Sequence, residues 1–290
     1  MSFALSDVLT RIGALSGVAV EPCERSLLHA YIACLSIDDL CTAISMTLND
    51  QTHIRLALRN RLLRLLRDPA NIPIGENLGA LVDATVAASD LNRNVRQAAD
   101  ALHSAIFAYL PLRQQHKLLD RWKDRGTRGA MARWLKASKE CPSLFEASVA
   151  LSYWRASGDV RAAKSLANQA TVHELADILD ELVSTCAEGW IISKAVVRVG
   201  GADGLTWEKI HENHPATYLY LCARTHRSVS DDDAFELACK CSDIDLKGNR
   251  GLAIWSIGQM RMFDVLDRIN AVTEMLQQRD MAEMRARLSI

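Results

Sequence analysis

Asn49-Asp50-Gln51-Thr52-His53-Ile54-Arg55-Leu56-Ala57 can be laid on Asp90-Leu91-Asn92-Arg93-Asn94-Val95-Arg96-Gln97-Ala98. Each stretch opens with an Asx turn signal and runs into a β-branched apolar residue, an arginine, any residue and an alanine. Arg55 and Arg96 are 41 residues apart. Val160-Arg161-Ala162-Ala163 repeats the centre of the pattern. A second element recurs as well. Trp154-Arg155-Ala156-Ser157-Gly158, Val197-Arg198-Val199-Gly200 and Trp255-Ser256-Ile257-Gly258 each bring an apolar segment to a glycine, and Gly158 and Gly200 are 42 residues apart. Self-similarity near this period marks an array of helix pairs. One pair cannot bury its own apolar face and needs a neighbour to do so.

The segments between these repeats read as helices. Leu27, Leu28, Tyr31 and Leu35 fall on one helical face, as do Met131, Trp134 and Leu135, and Leu266, Ile269, Val272 and Leu276. Period-two alternation of β-branched residues, the mark of strands, is missing. Breaks recur every 10 to 18 residues, at 17–22, 68–73, 111, 126, 142, 158, 200–201, 215 and 247–248. Ser6-Asp7, Ser36 to Asp38, Thr171 and Ser230-Asp231 suit the next helix start, because a short oxygen side chain accepts from a free N–H there. Pro142 and Pro215 suit a first helical turn. The count is 16 to 18 short helices. Only 14 glycines and 6 prolines occur in 290 residues, few for a turn-rich β fold. No linker or shift of composition divides the chain, so the expectation is one all-helical domain over 1–290.

These features resemble the HEAT-repeat family of α-solenoids, in which an Asx turn followed by Val-Arg and small apolar residues opens the second helix of each pair. Asn249-Arg250-Gly251-Leu252-Ala253-Ile254-Trp255-Ser256-Ile257-Gly258 is similar to the short variant that ends at a glycine. The resemblance implies an all-α fold, a right-handed α-solenoid of antiparallel helix pairs over 49–270, with 271–290 as a C-terminal capping helix. It also implies an internal Asp–Arg ladder at Arg55 and Arg96. On a helical wheel Arg55 and Arg59 fall within the arc of Leu58, Leu62, Leu63 and Leu66, which turns them toward a neighbouring repeat. A solenoid of this kind serves many functions, so the resemblance does not select an activity.

Charge is more informative. Lys and Arg number 34 and Asp and Glu 35, a net charge of −1. Residues 51–139 hold 16 of the cations and 7 of the carboxylates, a net of +9, and the remainder carries −10. Arg113, Lys117, Arg121 and Arg125 recur every fourth residue on one face of a helix whose other face is Leu118, Leu119 and Trp122. Arg128, Arg133, Lys136 and Lys139 extend the cations into the next helix, and Arg61, Arg64 and Arg67 lie on an earlier one. Such a row reads three ways: a solvated face balanced by Asp120 and Asp124, a dock for an acidic protein, or a reader of nucleic-acid phosphates. The expectation is a non-enzymatic scaffold for an acidic protein partner. The alternative is a nucleic-acid-binding protein related to HEAT-like DNA glycosylases, for which Trp122 and Trp134 are the nearest aromatic candidates.

Other constellations point to structure. Asp231-Asp232-Asp233, with Glu236, Asp243 and Asp245, starts a helix more naturally than it forms a cation loop, because carboxylates favour the positive end of the helix dipole and no glycine sits where a calcium loop needs one. His211, His214, Cys222, His226, Cys239 and Cys241 lack a known zinc spacing, and whether Cys222, His226, Cys239 and Cys241 bind metal is left open by the residues. Phosphate-binding GxxxxGK[ST], GxGxxG and GxSxG motifs are missing, and Gly200 to Gly204 reads as a helix–helix turn. Neither catalytic residues nor a cofactor is assigned. Met281, Met284 and Leu288 share a face of the last helix and suit a cap or a partner contact. Eight dispersed cysteines and an N-terminus without a basic, apolar leader suggest a cytoplasmic protein with reduced thiols.

Overall fold

The computed structural model describes residues 5–14, 22–47, 52–68, 75–89, 93–186, 188–241 and 249–288, with side chains through Met275 in the last helix. Among them are eighteen α-helices and no strand. The chain divides into two compact units, Met1–Leu144 and Phe145–Ile290.

The first unit holds α1 (Leu5–Ala14), α2 (Pro22–Ala33), α3 (Ile37–Met46), α4 (Thr52–Leu66), α5 (Gly75–Ser89), α6 (Arg93–Ile106), α7 (Leu112–Arg125) and α8 (Arg128–Glu140). Neighbours alternate in sequence. Helix α3 packs on α1 and α5, while α4 packs on α2 and α6, and α6 on α8. Short connections join one row to the other as the pairs α3/α4, α5/α6 and α7/α8. Ile54, Leu58 and Leu62, each four residues apart on α4, are fully buried with Leu40, Val82, Phe107, Trp122 and Trp134. Each such side chain contributes about 1.5–3 kcal/mol on leaving water.

The second unit holds α9 (Ala147–Ser157), α10 (Val160–Gln169), α11 (Val172–Asp177), α12 (Leu179–Thr185), α13 (Gly189–Val199), α14 (Gly204–Asn213), α15 (Pro215–Thr225), α16 (Asp231–Lys240), α17 (Asn249–Gln259) and α18 (Phe263–Leu288). Here α10, α13, α15 and α17 pack in succession. Behind them α12 meets α14 and α16 meets α18. Ala163, Ile192, Val196, Leu219 and Cys222 are buried within the first of these rows. Gly189 lets α13 approach α15 closely, since a Cβ there would overlap the Thr217 hydroxyl.

Local signals act largely where they are read. Ser36 and Thr171 close capping boxes with Asp39 and Glu174, Ser230 caps α16, and Pro215 opens α15. Gly126, Gly158 and Gly200 end α7, α9 and α13 at φ of 57°, 64° and 86°, a region that costs other residues about 1 kcal/mol or more. Three expectations shift. Ser6-Asp7 lies inside α1. Gly258 lies inside α17, and the left-handed residue after that helix is Arg261, at φ 61°. Val160-Arg161 is out of register with the other two copies: Ile54 and Val95 are buried, whereas Val160 is exposed and Ala162 and Ala163 point inward. The Asx turns 49–51 and 90–92, Asp243, Asp245, and the side chains of Met281, Met284 and Leu288 lie outside what is described.

Candidate functional site

The basic residues of 113–139 fall into two sets. Those on α7 turn largely back onto the protein. Lys117 Nζ lies 2.6 Å from Asp83 Oδ1 of α5, and Gln114 donates to the other oxygen of that carboxylate at 3.2 Å. The Lys117 hydrogen bond holds the Asp83 carboxyl below the usual range, and Arg113 nearby adds to the effect. Arg121 donates to Ser89 Oγ at 2.8 Å. Arg125 embraces Asp100 of α6, with Nη2 at 2.8 and 2.9 Å from its two oxygens, and Trp122 donates its indole N–H to the same carboxylate at 3.1 Å. Lys117, Arg121 and Arg125 share a shallow groove with Arg96, Asp120 and Asp124. Cations and carboxylates alternate there.

Helix α8 differs. Arg128, Lys136 and Lys139 are exposed on one stripe, spaced by eight and three residues, and none has a carboxylate within ion-pair distance among the described residues. Arg133 folds along its own helix to Gly129 O at 2.9 Å. Arg113 is exposed at the start of α7.

Sorting by row makes the contrast general. Helices α4, α6 and α8, which neighbour one another, carry ten cations and two carboxylates, and one of those carboxylates, Asp100, is taken by Arg125. The opposite row, α1, α3, α5 and α7, carries six cations and seven carboxylates. Between α3, α4 and α6 lies a groove of about 420 Å³. Arg55 and Arg59 line it from α4 and Asn94 and Gln97 from α6, over a floor that includes Leu56 and Ala98, with no carboxylate among the lining residues. Arg59 Nε is buried there with no hydrogen-bond partner among the described residues. The wheel reading of Arg55 and Arg59 thus places them where they lie, against the neighbouring pair. The ladder reading fares differently at Arg96, whose Nε donates 3.2 Å to the Ser89 carbonyl at the end of α5. Arginine at a helix C-terminus is a recurring device in the chain. Arg61 reaches Ala33 O at the end of α2, and Arg198 reaches Ala167 O and Ala170 O at the end of α10.

Asp231, Asp232 and Asp233 occupy the first turn of α16, where Asp233 bonds His211 at 2.8 Å and Asp232 pairs with Arg268 at 3.0 Å. Cys222 and Cys241 are buried, and burial pushes both thiols up to about 11. His226 is exposed in the left-handed cap of α15 and Cys239 is exposed on α16. Among the described residues no three His, Cys, Asp or Glu side chains converge as metal ligands. Trp122 and Trp134 are core residues with no exposed ring face. No described helix is long and apolar enough to cross a membrane. No known protein family, characterised protein or solved structure matches the chain.

Proposed function

We propose that the protein is a non-enzymatic helical-repeat scaffold that recognises an acidic protein partner through the exposed side of α4, α6 and α8. The observation that carries this reading is the sorting of charge in the first unit: Lys117, Lys123 and Arg125 of α7 meet carboxylates of their own unit, while Arg128, Lys136 and Lys139 of α8 are exposed with no carboxylate within ion-pair distance among the described residues, and the groove between α4 and α6 is lined by arginines and by no carboxylate. A field of one sign steers an oppositely charged partner and selects against like-charged ones. The alternation of neighbours within each unit supports a HEAT-like α-solenoid of stacked pairs, and the right-handed sense is the one the family resemblance implies. A cytoplasmic setting fits the seven free thiols among the described residues.

The test is retention of cellular proteins by the immobilised chain after nuclease treatment, with and without Arg128→Glu, Lys136→Glu and Lys139→Glu together. Partners released by salt from the native chain and lost from the triple variant are expected. Identical retention removes the face from the account. Tight binding of a DNA duplex that weakens steeply with salt replaces the protein partner with nucleic acid.

A further inference from the structure

The second unit separates its charges more sharply than the first. Helices α10, α13, α15 and α17 total 43 residues and contain no Asp or Glu. At the rate of 35 carboxylates in 290 residues, about five would be expected. Helices α11, α12, α14, α16 and α18 carry 15 carboxylates. Burial alone does not explain the deficit, because the acid-free row keeps six cations: Arg161, Lys164, Lys194, Arg198, Arg224 and Arg250. The exclusion concerns sign, not polarity.

The exposed side of this row is also unusually apolar. Trp190 on α13 is 46% exposed and Trp255 on α17 is 47% exposed, whereas Trp122 and Trp134 of the first unit are wholly buried. Val197 lies seven residues after Trp190, on the same stripe of α13, and is 48% exposed. Side chains on this side meet across neighbouring helices at two places. Lys164 Nζ of α10 sits 5.0 Å from the centre of the Trp190 ring, and Lys194 of α13 bonds Asn168 of α10. Tyr220 of α15 stacks on Trp255 of α17, centroids 6.0 Å apart and planes at 29°. Between these pairs, Gly189 and Thr217 hold α13 against α15.

The charge that remains available is sparse. Arg198 is committed to the carbonyls at the end of α10, Arg161 to its own cap Asp159 at 2.6 Å, and Arg250 to Thr273 at 3.0 Å. Lys164, Lys194 and Arg224 have no carboxylate within ion-pair distance among the described residues. Three cations over four helices are too few to follow a phosphate backbone, which presents a charge at every nucleotide. They are enough to orient a short segment whose affinity comes from apolar contact. Half-exposed tryptophans beside lysines are the residue types that anchor protein interfaces, the ring supplying area and the cations excluding the wrong partner.

We propose that the exposed side of α10, α13, α15 and α17 is a docking surface for an acidic segment of another protein, whose apolar side chains lie on Trp190 and Trp255 and whose carboxylates meet Lys164, Lys194 and Arg224. The surface lies in the other unit from the face assigned above and shares no residue with it, so either assignment stands if the other fails.

The experiment uses the full chain and three fluorescein-labelled probes at physiological salt, read by anisotropy: a 16-residue peptide repeating Asp-Glu-Phe-Leu, a 16-residue polyglutamate, and a 16-nucleotide oligo-dT. The mixed peptide is expected to bind at least tenfold tighter than either other probe. The double variant Trp190→Ala, Trp255→Ala is expected to weaken it by tenfold or more. Lys164→Glu with Lys194→Glu, an exposed pair that leaves the core untouched, is expected to weaken it at least fivefold, and the triple variant of α8 to leave it unchanged. Equal binding of the mixed peptide by native and double-tryptophan protein overturns the proposal. So does binding of polyglutamate or oligo-dT as tight as that of the mixed peptide, or loss of binding through the α8 variant alone.

Discussion

Arg125 and Asp100 form a two-point ion pair between α7 and α6, with one guanidinium nitrogen 2.8 and 2.9 Å from the carboxylate oxygens, and the indole of the buried Trp122 donates to the same carboxylate. Asp100 is thereby the acceptor for two donors and the reason that an arginine of an apparently open basic row is turned inward. Asp100→Ala leaves a buried indole N–H and a largely buried guanidinium without their acceptor, at a cost of about 2–4 kcal/mol. Asp100→Asn keeps one acceptor oxygen and is expected to lose less. Urea unfolding checks both. In the double variant Asp100→Ala, Arg125→Met the loss should be smaller than the sum of the single losses, since the pair is removed as a unit. Additive losses would show that the two side chains do not act together.

One turn further along α6, His103 is fully buried and its Nε2 lies 2.7 Å from Thr85 Oγ1 of α5. The Thr85 hydroxyl donates to Leu81 O at 2.7 Å, so it accepts from a neutral imidazole protonated at Nε2. Burial pushes the imidazole down to about 4, against the pull of Asp100 and with help from Arg121, Arg125 and Lys117. The unfolded chain, with an ordinary histidine near 6.5, therefore binds more protons than the folded one between these values, and stability falls as pH drops from about 6.5 toward 4. The loss is on the order of 3 kcal/mol at its limit. His103→Gln preserves a donor to Thr85 but cannot titrate. Its stability difference from the native chain should shrink or reverse between pH 7 and pH 4.5, measured by urea midpoints at each pH. A constant difference would rule out His103 as the group responsible.

How far these features are legible in the sequence depends on their range. Ser36, Thr171, Ser230 and Pro215 act on residues three or fewer positions away, and each occupies the helix start that its chemistry suggests. Pairing between helices is not local. Lys117 meets Asp83 across 34 residues and Arg125 meets Asp100 across 25, so a row of cations spaced by four looks free until the neighbouring helices are known. The tryptophans show the same limit. Trp122 and Trp190 both sit among apolar residues, but Trp122 is covered on all sides and Trp190 is not. The signal that was available is the lack of acidic residues in four separate helices, which becomes visible only once their adjacency groups them.

Gly189 is a case where one atom matters. A Cβ at this position would overlap Thr217 Oγ1, so α13 and α15 could not keep their spacing. Gly189→Ala gains helix propensity but forces the helices apart, and a net loss of about 1–3 kcal/mol is expected. Thr217→Ala removes the obstructing hydroxyl, and the combination Gly189→Ala, Thr217→Ala should recover most of the loss. Thermal unfolding of the three variants measures the coupling. If Gly189→Ala is neutral by itself, the close approach does not limit this packing.

The two sets of cations in 113–139 separate by their effect on stability alone, with no partner needed. Lys117→Glu sets a second carboxylate beside Asp83, which Lys117 now meets at 2.6 Å, and removes the hydrogen bond that holds the Asp83 carboxyl low. Because that carboxyl is depressed in the folded state, it contributes stability above its unfolded value that is lost as pH falls through the folded one. Both side chains are about half exposed, so solvent screening keeps the whole effect to about 1 kcal/mol or less, and it should diminish in 1 M salt. Lys136 and Lys139 on α8 have no carboxylate within ion-pair distance among the described residues, and Lys136→Glu and Lys139→Glu are expected to stay within about 0.5 kcal/mol of the native chain at any salt concentration. Urea titrations at low and high salt provide the comparison. A salt-sensitive loss at Lys117 with none at Lys136 and Lys139 assigns α7 to internal pairing and leaves α8 as the part of the row with charge to offer outward. Equal losses at all three positions would mean that the α8 cations are committed within the fold as well.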